Sequence, residues 1–426
     1  MKKLLITGGA RLSGTVRIHG AKNSVLPVLA ACCLCTSPCV LHNCPDIEDV
    51  RTALAILESF GCKTRREGST LCIDASGLSR SRVEKRLAGK MRSSILFLGA
   101  LLARCGKAEL ALPGGCPLGE RPIDLHVKSL AKLGARFRFE KGILQAAWRE
   151  RRDGDIFLSI PSVGATENLL LACAMGHGTV TLHGAAREPE ITDLIGFLRA
   201  AGADIRGAGT SELTICGAHK LHGATYTILP DRIETATYLC MAAGCGGDVA
   251  LRRCDGRLLA PVIGCLREAG CEIRSVGSEI ALKSSGKLTA VSPVTTAPYP
   301  GFPTDAQAIL MAAVLRAKGE SVFRETVFER RFLHVPELQK LGADIALSGK
   351  TARVRGVSHL HGAKLRAEDL RGAAALITAG LLAEGESEVL GLSHLARGYE
   401  NLEQNLKNLG AAIKSVDIPA PFVYNT

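Results

Sequence analysis

The chain has 426 residues, 46% of them hydrophobic and 22% charged, which suits a large soluble globular protein of about two to four domains. Its net charge of +12 favours anionic partners, and aromatic residues make up only 4%. Scattered basic residues with so few aromatics argue against stacking on nucleic acid bases, and small, multiply charged phosphate substrates account for the balance equally well.

In chain order, the segment MKKLLITGGARLSG has an apolar run only from Leu4 to Ile6. A secretory leader needs roughly 7–15 apolar residues, so no signal peptide is expected. A strand is predicted over 3–19, followed by Lys22 and Asn23 at the start of a helix. Free N–H groups and a positive partial charge at a helix start make an anion cradle, although a lysine there is more often a surface residue in a turn. The apolar stretch Val25 to Leu41 is broken by Thr36, Ser37 and Pro38. It falls short of the ~20 residues that span a bilayer, so no membrane partner is expected. Cys32, Cys33, Cys35, Cys39 and Cys44 match no regular zinc spacing and read as small core hydrophobes. Sixteen cysteines without an export signal indicate reduced thiols in a cytoplasm.

Arg92 opens an apolar helix predicted over 92–104, and a strand follows over 107–112. The loop PGGCPLGERP (113–122) holds three prolines and three glycines, which favour a shaped lid over a helix or strand. Cys116 stands in this lid, where neighbouring cations would favour a reactive thiolate. Then come an amphipathic helix (123–134), two strands (GARFRFE and GILQAAW), an apolar helix (165–175) and a strand (178–184). In the second half Asp305 opens an apolar helix predicted over 305–318 and Asp369 opens another. Thr304 or Asp305 at such a place is commonly an N-cap. Arg331, Arg371 and Arg397 lie in loops and helix starts of this half. Arginines in corresponding loops of both halves suggest a cationic cleft between two domains.

A unit of about 70 residues recurs six times. Its marker is an apolar helix end, a glycine, a small residue and alternating strand residues, with the glycines at Gly61, Gly134, Gly202, Gly270, Gly342 and Gly410. Glycine just past a helix adopts the left-handed conformation at little cost, so each copy marks a helix end. Each unit reads βαβαββ. Its first helix is apolar on nearly every face and must be buried, which one such unit cannot achieve alone. The predicted fold is therefore α/β, with two domains of three repeats, buried helices and outer sheets, rather than a continuous solenoid. Residues 1–21 are predicted to complete the second domain, with 22–229 forming the first and 230–426 the second.

Nine collinear motifs then carry a resemblance over essentially the whole chain. They are GAKN (20–23), LPGGCPLGERPIDLH (112–126), PSVGATEN (161–168), AAREPEITDL (185–194), LPDRIET (229–235), FPTDAQA (302–308), ETVFERRFLHVPEL (325–338), DLRGAAAL (369–376) and RGYENLE (397–403). Together they resemble the UDP-N-acetylglucosamine enolpyruvyl transferases of the EPSP synthase superfamily. The resemblance implies a two-domain inside-out α/β barrel and transfer of the enolpyruvyl group of phosphoenolpyruvate to the sugar 3′-hydroxyl, with no metal or cofactor. It implies that Lys22, Asn23, Arg121 and Arg397 hold phosphoenolpyruvate, and that Cys116 is the general acid at its methylene carbon and the target of fosfomycin. Asp305 matches the carboxylate that takes the hydroxyl proton. The UDP-sugar positions implied are Arg92, Arg121, Pro122, Ile123, Asp124, Leu125, Ser162, Val163, Gly164, Asp305 and Val327, with Arg331, Asp369 and Arg371 as further substrate-binding candidates.

Ile160 and Pro161 stand where some relatives carry a lysine, so the resemblance does not imply a diphosphate contact at that place. The sister family acting on shikimate 3-phosphate shares the fold and chemistry but lacks the lid cysteine and the RPIDLH and PSVGAT motifs in this form. A non-catalytic repeat protein binding nucleic acid through its positive surface is the rival of another kind, and the set Lys22, Cys116, Asp305 and Arg397 argues against it. No sequence feature sets the oligomeric state.

Overall fold

The computed structural model describes residues 2–114, 118–119, 122–149 and 151–418. Contacts divide it into two compact units. One runs from His19 to Asp231, and the other takes the chain through Ile18 and again from Arg232, together with Leu118 and Gly119.

In the unit starting at His19, three apolar helices, Lys22–Cys32, Leu96–Cys105 and Val163–Cys173, lie almost wholly buried. Three separate four-stranded sheets accompany them. In the second sheet Arg82–Val83 runs parallel to Lys107–Ala111, which pairs antiparallel with Ile143–Ala147, and Arg136–Glu140 completes a hairpin. Parallel neighbours need a crossover, and the buried helix Leu96–Cys105 supplies it. The third sheet repeats this order with Gly154–Phe157, Thr179–His183, Glu212–Cys216 and Asp204–Arg206. In the first sheet the leading strand is Thr225–Thr227, from the far end of the unit, lying parallel to Cys39–His42.

The other unit is built alike around Arg232–Cys245, Thr304–Ala313 and Leu370–Leu382. Every residue of Leu370–Leu382 is buried, as a helix apolar all round requires. The predicted single N-terminal strand is two strands in two different sheets. Lys2–Thr7 sits between Glu386–Leu390 and Ala412–Asp417, and Leu12–Arg17 lies parallel to Gly247–Arg252. Gly8 and Gly9 separate them, and Gly9 has a φ of 88° that an L side chain rarely adopts. The helix predicted over 305–318 is shorter, Thr304–Ala313, because the chain turns at Val314–Leu315 before the strand Glu320–Arg324.

All six repeat glycines have positive φ, between 93° at Gly342 and 104° at Gly202, each ending its helix in the left-handed region. Among the described residues the six four-stranded sheets stay separate and close no barrel. Cys32, Cys33, Cys35, Cys39 and Cys44 are buried as core thiols. No helix among the described residues is long and apolar enough to cross a membrane.

Candidate active site

Cys116 and Arg121 lie outside the described residues. Of the remaining predicted site residues, all but Val327 and Arg397 fall into three groups.

Lys22 is the first residue of its helix, and the preceding Ala21 supplies no side-chain cap. A cation at a helix N-terminus opposes the macrodipole. Here two carboxylates offset it, since Asp49 accepts an ion pair from Lys22 Nζ at 3.0 Å and Asp231 Oδ2 accepts the Lys22 N–H at 3.1 Å. The Lys22 side chain is only 11% exposed, so it is an inward-turned cation rather than a surface lysine. Asn23 beside it is half-buried. Two residues on, Ser24 donates to the buried Asp193 at 2.7 Å, which anchors this turn to the helix Pro189–Ala200.

The second group joins two repeats. Arg92 begins a short 3-10 turn, and its guanidinium donates to the Pro122 carbonyl at 3.4 Å. Pro122 and Asp124 are exposed while Ile123 and Leu125 are half-buried, and Asp124 pairs with Lys128 at 3.0 Å. Ser162 caps the helix Val163–Cys173 by accepting the Ala165 N–H at 3.4 Å. Gly164 packs on the His126 imidazole so closely that a Cβ there would lie 3.2 Å from Cε1. Asn168 ties the parts together, with its amide nitrogen 2.7 Å from His126 Nδ1 and donating to the Ile95 carbonyl at 3.0 Å, and its Oδ1 accepting the Gly99 N–H at 2.7 Å. Thus 122–126 and 162–164 share one buried support. Ile160 is 60% exposed, an apolar side chain facing solvent beside this group.

His126 and Asn168 were not singled out by sequence reasoning. Their signal is a polar residue inside an otherwise apolar or amphipathic helical face, within RPIDLH and ATEN. Loss of hydration, and then the nearby Arg92 cation, push the His126 imidazole down to about 4. An unfolded chain titrates near 6.5, so between about 6.5 and 4 it binds the extra proton. The His126 contribution to stability is therefore present above that window and lost as pH falls through it, at up to about 1.4 kcal/mol per pH unit. In His126→Phe the pH dependence of urea-unfolding free energy over this window is expected to be shallower by about one proton. An unchanged slope would contradict the buried neutral imidazole. Glu167, next to Asn168 in the helix Val163–Cys173, is a buried acid, and burial together with Glu190 and Glu188 pushes its carboxyl well above the usual range.

The third group surrounds Asp305, in the first turn of Thr304–Ala313. Pro303, not Asp305, occupies the N-cap position of this helix. Instead Arg331 donates to Asp305 Oδ1 at 2.7 Å and Arg371 donates to Oδ2 at 2.9 Å. The Arg331 guanidinium also donates twice to the Thr304 carbonyl, at 3.2 and 3.0 Å. The arginine side chains are 2% and 4% exposed, whereas Asp305 is 27% exposed. Arg331 and Arg371 therefore reach Asp305 from beneath, and the carboxylate presents the accessible edge. Asp369 is the true N-cap of its helix, accepting from the Arg371 and Gly372 N–H groups at 3.0 Å each, with Arg331 Nη1 at 3.9 Å. Arg371 also lies over the Tyr399 ring at 5.4 Å, and the Tyr399 hydroxyl meets Thr237 at 2.8 Å.

His334, three residues after Arg331, is buried, and loss of hydration pushes its imidazole down to about 4. Val327 is 43% exposed. Arg397 sits in the turn after Leu392–Leu395, half-buried. Among the described residues no group of three or more His, Cys, Asp or Glu is placed to hold a metal ion.

A carboxylate has about four lone-pair sites. One guanidinium donor reaches each oxygen of Asp305, and the carboxylate keeps an exposed edge.

The chain is similar to known proteins along nearly its whole length. Residues 6–406 match the EPSP synthase (3-phosphoshikimate 1-carboxyvinyltransferase) family. The UDP-N-acetylglucosamine 1-carboxyvinyltransferase 2 of Caldanaerobacter subterraneus subsp. tengcongensis is 46% identical over 413 residues, covering 97% of this chain and 99% of the relative. The UDP-N-acetylglucosamine 1-carboxyvinyltransferase of Gloeobacter violaceus is 46% identical over 412 residues, covering 96% and 90%. The crystal structure of the enolpyruvyl transferase NikO from Streptomyces tendae is similar with a TM-score of 0.89 at 31% identity, over 98% of this chain and 99% of that one. EPSP synthase from Acinetobacter baumannii, at 19% identity and a TM-score of 0.75 over 98% and 100% of the two chains, shares the fold. Matched along nearly its whole length by relatives at these identities, the chain belongs to the EPSP synthase family and, within it, groups with the UDP-N-acetylglucosamine 1-carboxyvinyltransferases.

Proposed function

We propose that the protein transfers the enolpyruvyl group of phosphoenolpyruvate to the 3′-hydroxyl of UDP-N-acetylglucosamine and releases phosphate. This would be the committed step toward peptidoglycan precursors in a bacterial cytoplasm, and through the cell wall it would serve cell shape and division. The observation that carries the reading is the Asp305 carboxylate, partly exposed and held from beneath by Arg331 and Arg371, in a chain whose full-length relatives bear the name of this activity.

In the proposed reaction Asp305 accepts the hydroxyl proton as the sugar oxygen adds to C2 of phosphoenolpyruvate, and Cys116 delivers a proton to C3. The product of this step is a tetrahedral ketal. Loss of a C3 proton and of phosphate then restores the double bond. Lys22, Arg121 and Arg397 are assigned to the carboxylate and the departing phosphate, where fixed cations stabilise developing charge. Arg92 with 122–125 and 162–164 is assigned to the UDP-sugar, which the shared support of His126 and Asn168 favours.

Phosphate release is expected to require both substrates and to be insensitive to a metal chelator, since lysine and arginine candidates fill the charge-neutralising roles. A colorimetric phosphate assay, with the enolpyruvyl ether identified by mass spectrometry, tests this. Undiminished turnover with shikimate 3-phosphate in place of the UDP-sugar would overturn the substrate assignment.

A further inference from the structure

We infer that Glu325 is a positioning residue for this transfer, fixing Asp305 relative to the backbone at Val327. The inference rests on the proposed reading of Asp305 as the base.

Glu325 follows the strand Glu320–Arg324 and is 2% exposed. Four donors converge on its carboxylate. Oε1 accepts the Thr296 hydroxyl at 3.0 Å, the Val327 N–H at 2.7 Å and the Phe328 N–H at 3.0 Å, and Oε2 accepts the Thr304 hydroxyl at 2.9 Å. No ion pair of Glu325 occurs among the described residues, so hydrogen bonds alone compensate its burial. A carboxylate is acceptor-only and can meet four donors, whereas an amide of the same length must turn an NH₂ group toward one of them.

These bonds close a ring around the base. Thr304 immediately precedes Asp305, and its carbonyl accepts two bonds from Arg331, which in turn holds Asp305. The Arg331 guanidinium stands over the Phe328 ring at 5.6 Å, and the Phe328 N–H returns to Glu325. One carboxylate thereby links the turn that carries the base to the turn whose exposed Val327 is assigned to the UDP-sugar. Catalysis by a preset base depends steeply on such spacing, and displacements near 1 Å can cost about 10²-fold in rate.

The two oxygens of Glu325 separate the two functions. Thr304→Val removes only the bond toward Asp305, so kcat is expected to fall about tenfold with KM for UDP-N-acetylglucosamine within about twofold. In Glu325→Gln the amide oxygen can keep the Thr296, Val327 and Phe328 donors while the NH₂ faces Thr304, whose hydroxyl must then accept from a neutral group instead of donating to a charged one, so a loss confined to kcat is again expected. The double variant should then be no slower than either single one. Glu325→Ala releases both turns and is expected to raise KM for the UDP-sugar as well as lower kcat. Thermal melts and active-site titration would normalise each variant to folded enzyme. A role confined to stability would lower the melting temperature and leave kcat and KM of the folded fraction unchanged. Wild-type activity combined with Glu325→Gln and Thr304→Val kinetics within twofold of wild type would overturn this inference alone. A wild type that forms no phosphate from the two substrates would overturn the functional reading and this inference with it.

Discussion

Replacing Asp305 by asparagine is expected to lower kcat by about 10² or more, because the amide cannot accept the hydroxyl proton while the side chain keeps its shape. Asp305→Ala should be equally inactive but also less stable. It removes the acceptor from Arg331 and Arg371, both almost fully buried, and breaking a buried pair from one side costs about 3–5 kcal/mol. Two guanidinium groups are affected here, although the 27% exposure of Asp305 lets water replace part of the loss. Comparing the two variants by steady-state kinetics and urea unfolding separates chemistry from support. Asparagine at near wild-type kcat would remove Asp305 from the role of base. If alanine cost only about 1 kcal/mol, the size of a lost helix cap, the clamp would be energetically idle.

Cys116 carries the other large effect. Cys116→Ala is expected to lose most turnover, by about 10² or more, because no proton donor then serves C3. Cys116→Asp keeps an ionisable acid and should retain measurable turnover while becoming insensitive to fosfomycin, whose epoxide needs a sulfur nucleophile. Labelling of the wild type should be selective. The other fifteen cysteines are buried or half-buried, and burial pushes several thiols well up, Cys44 and Cys245 to about 12. Mass spectrometry of the inhibited protein should place one adduct on the peptide containing PGGCPLGER. An adduct on another cysteine, or a fully active Cys116→Ala enzyme, would show that the acid lies elsewhere.

The two variants probe opposite ends of one proton transfer, so their pH profiles should differ in kind. Asp305→Asn removes a group that must be ionised, and Cys116→Asp replaces a group that must hold a proton with one whose ordinary range is lower. The acidic limb of kcat/KM is expected to change in the first, and the basic limb to move toward lower pH in the second.

Much of the architecture was legible in the sequence. Helix ends were marked by glycines that do adopt positive φ, at Gly61, Gly134, Gly202, Gly270, Gly342 and Gly410, because no other residue takes that conformation so readily. Burial of the first helix in each repeat was written in its composition, since Leu370–Leu382 and its counterparts have no polar face to show to water. The motifs likewise identified Asp305, Lys22 and Arg92 as residues worth following.

Tertiary structure alone decided how those parts meet. Pairing between strands far apart in the chain leaves no local mark, so neither the recruitment of Thr225–Thr227 to the first sheet nor the placement of Lys2–Thr7 and Leu12–Arg17 in separate sheets could be read from nearby residues. The same holds at the site. Asp305 looked like a helix cap, a role set by its immediate neighbours, yet its partners Arg331 and Arg371 stand 26 and 66 positions away. Glu325 opened the motif ETVFERRFLHVPEL without any role attached to it, because its donors Thr296, Thr304, Val327 and Phe328 are brought to one carboxylate only by the folded chain. Helix ends and burial follow from short-range sterics and hydration, whereas a shared acceptor exists only once separate turns have been packed within hydrogen-bonding distance.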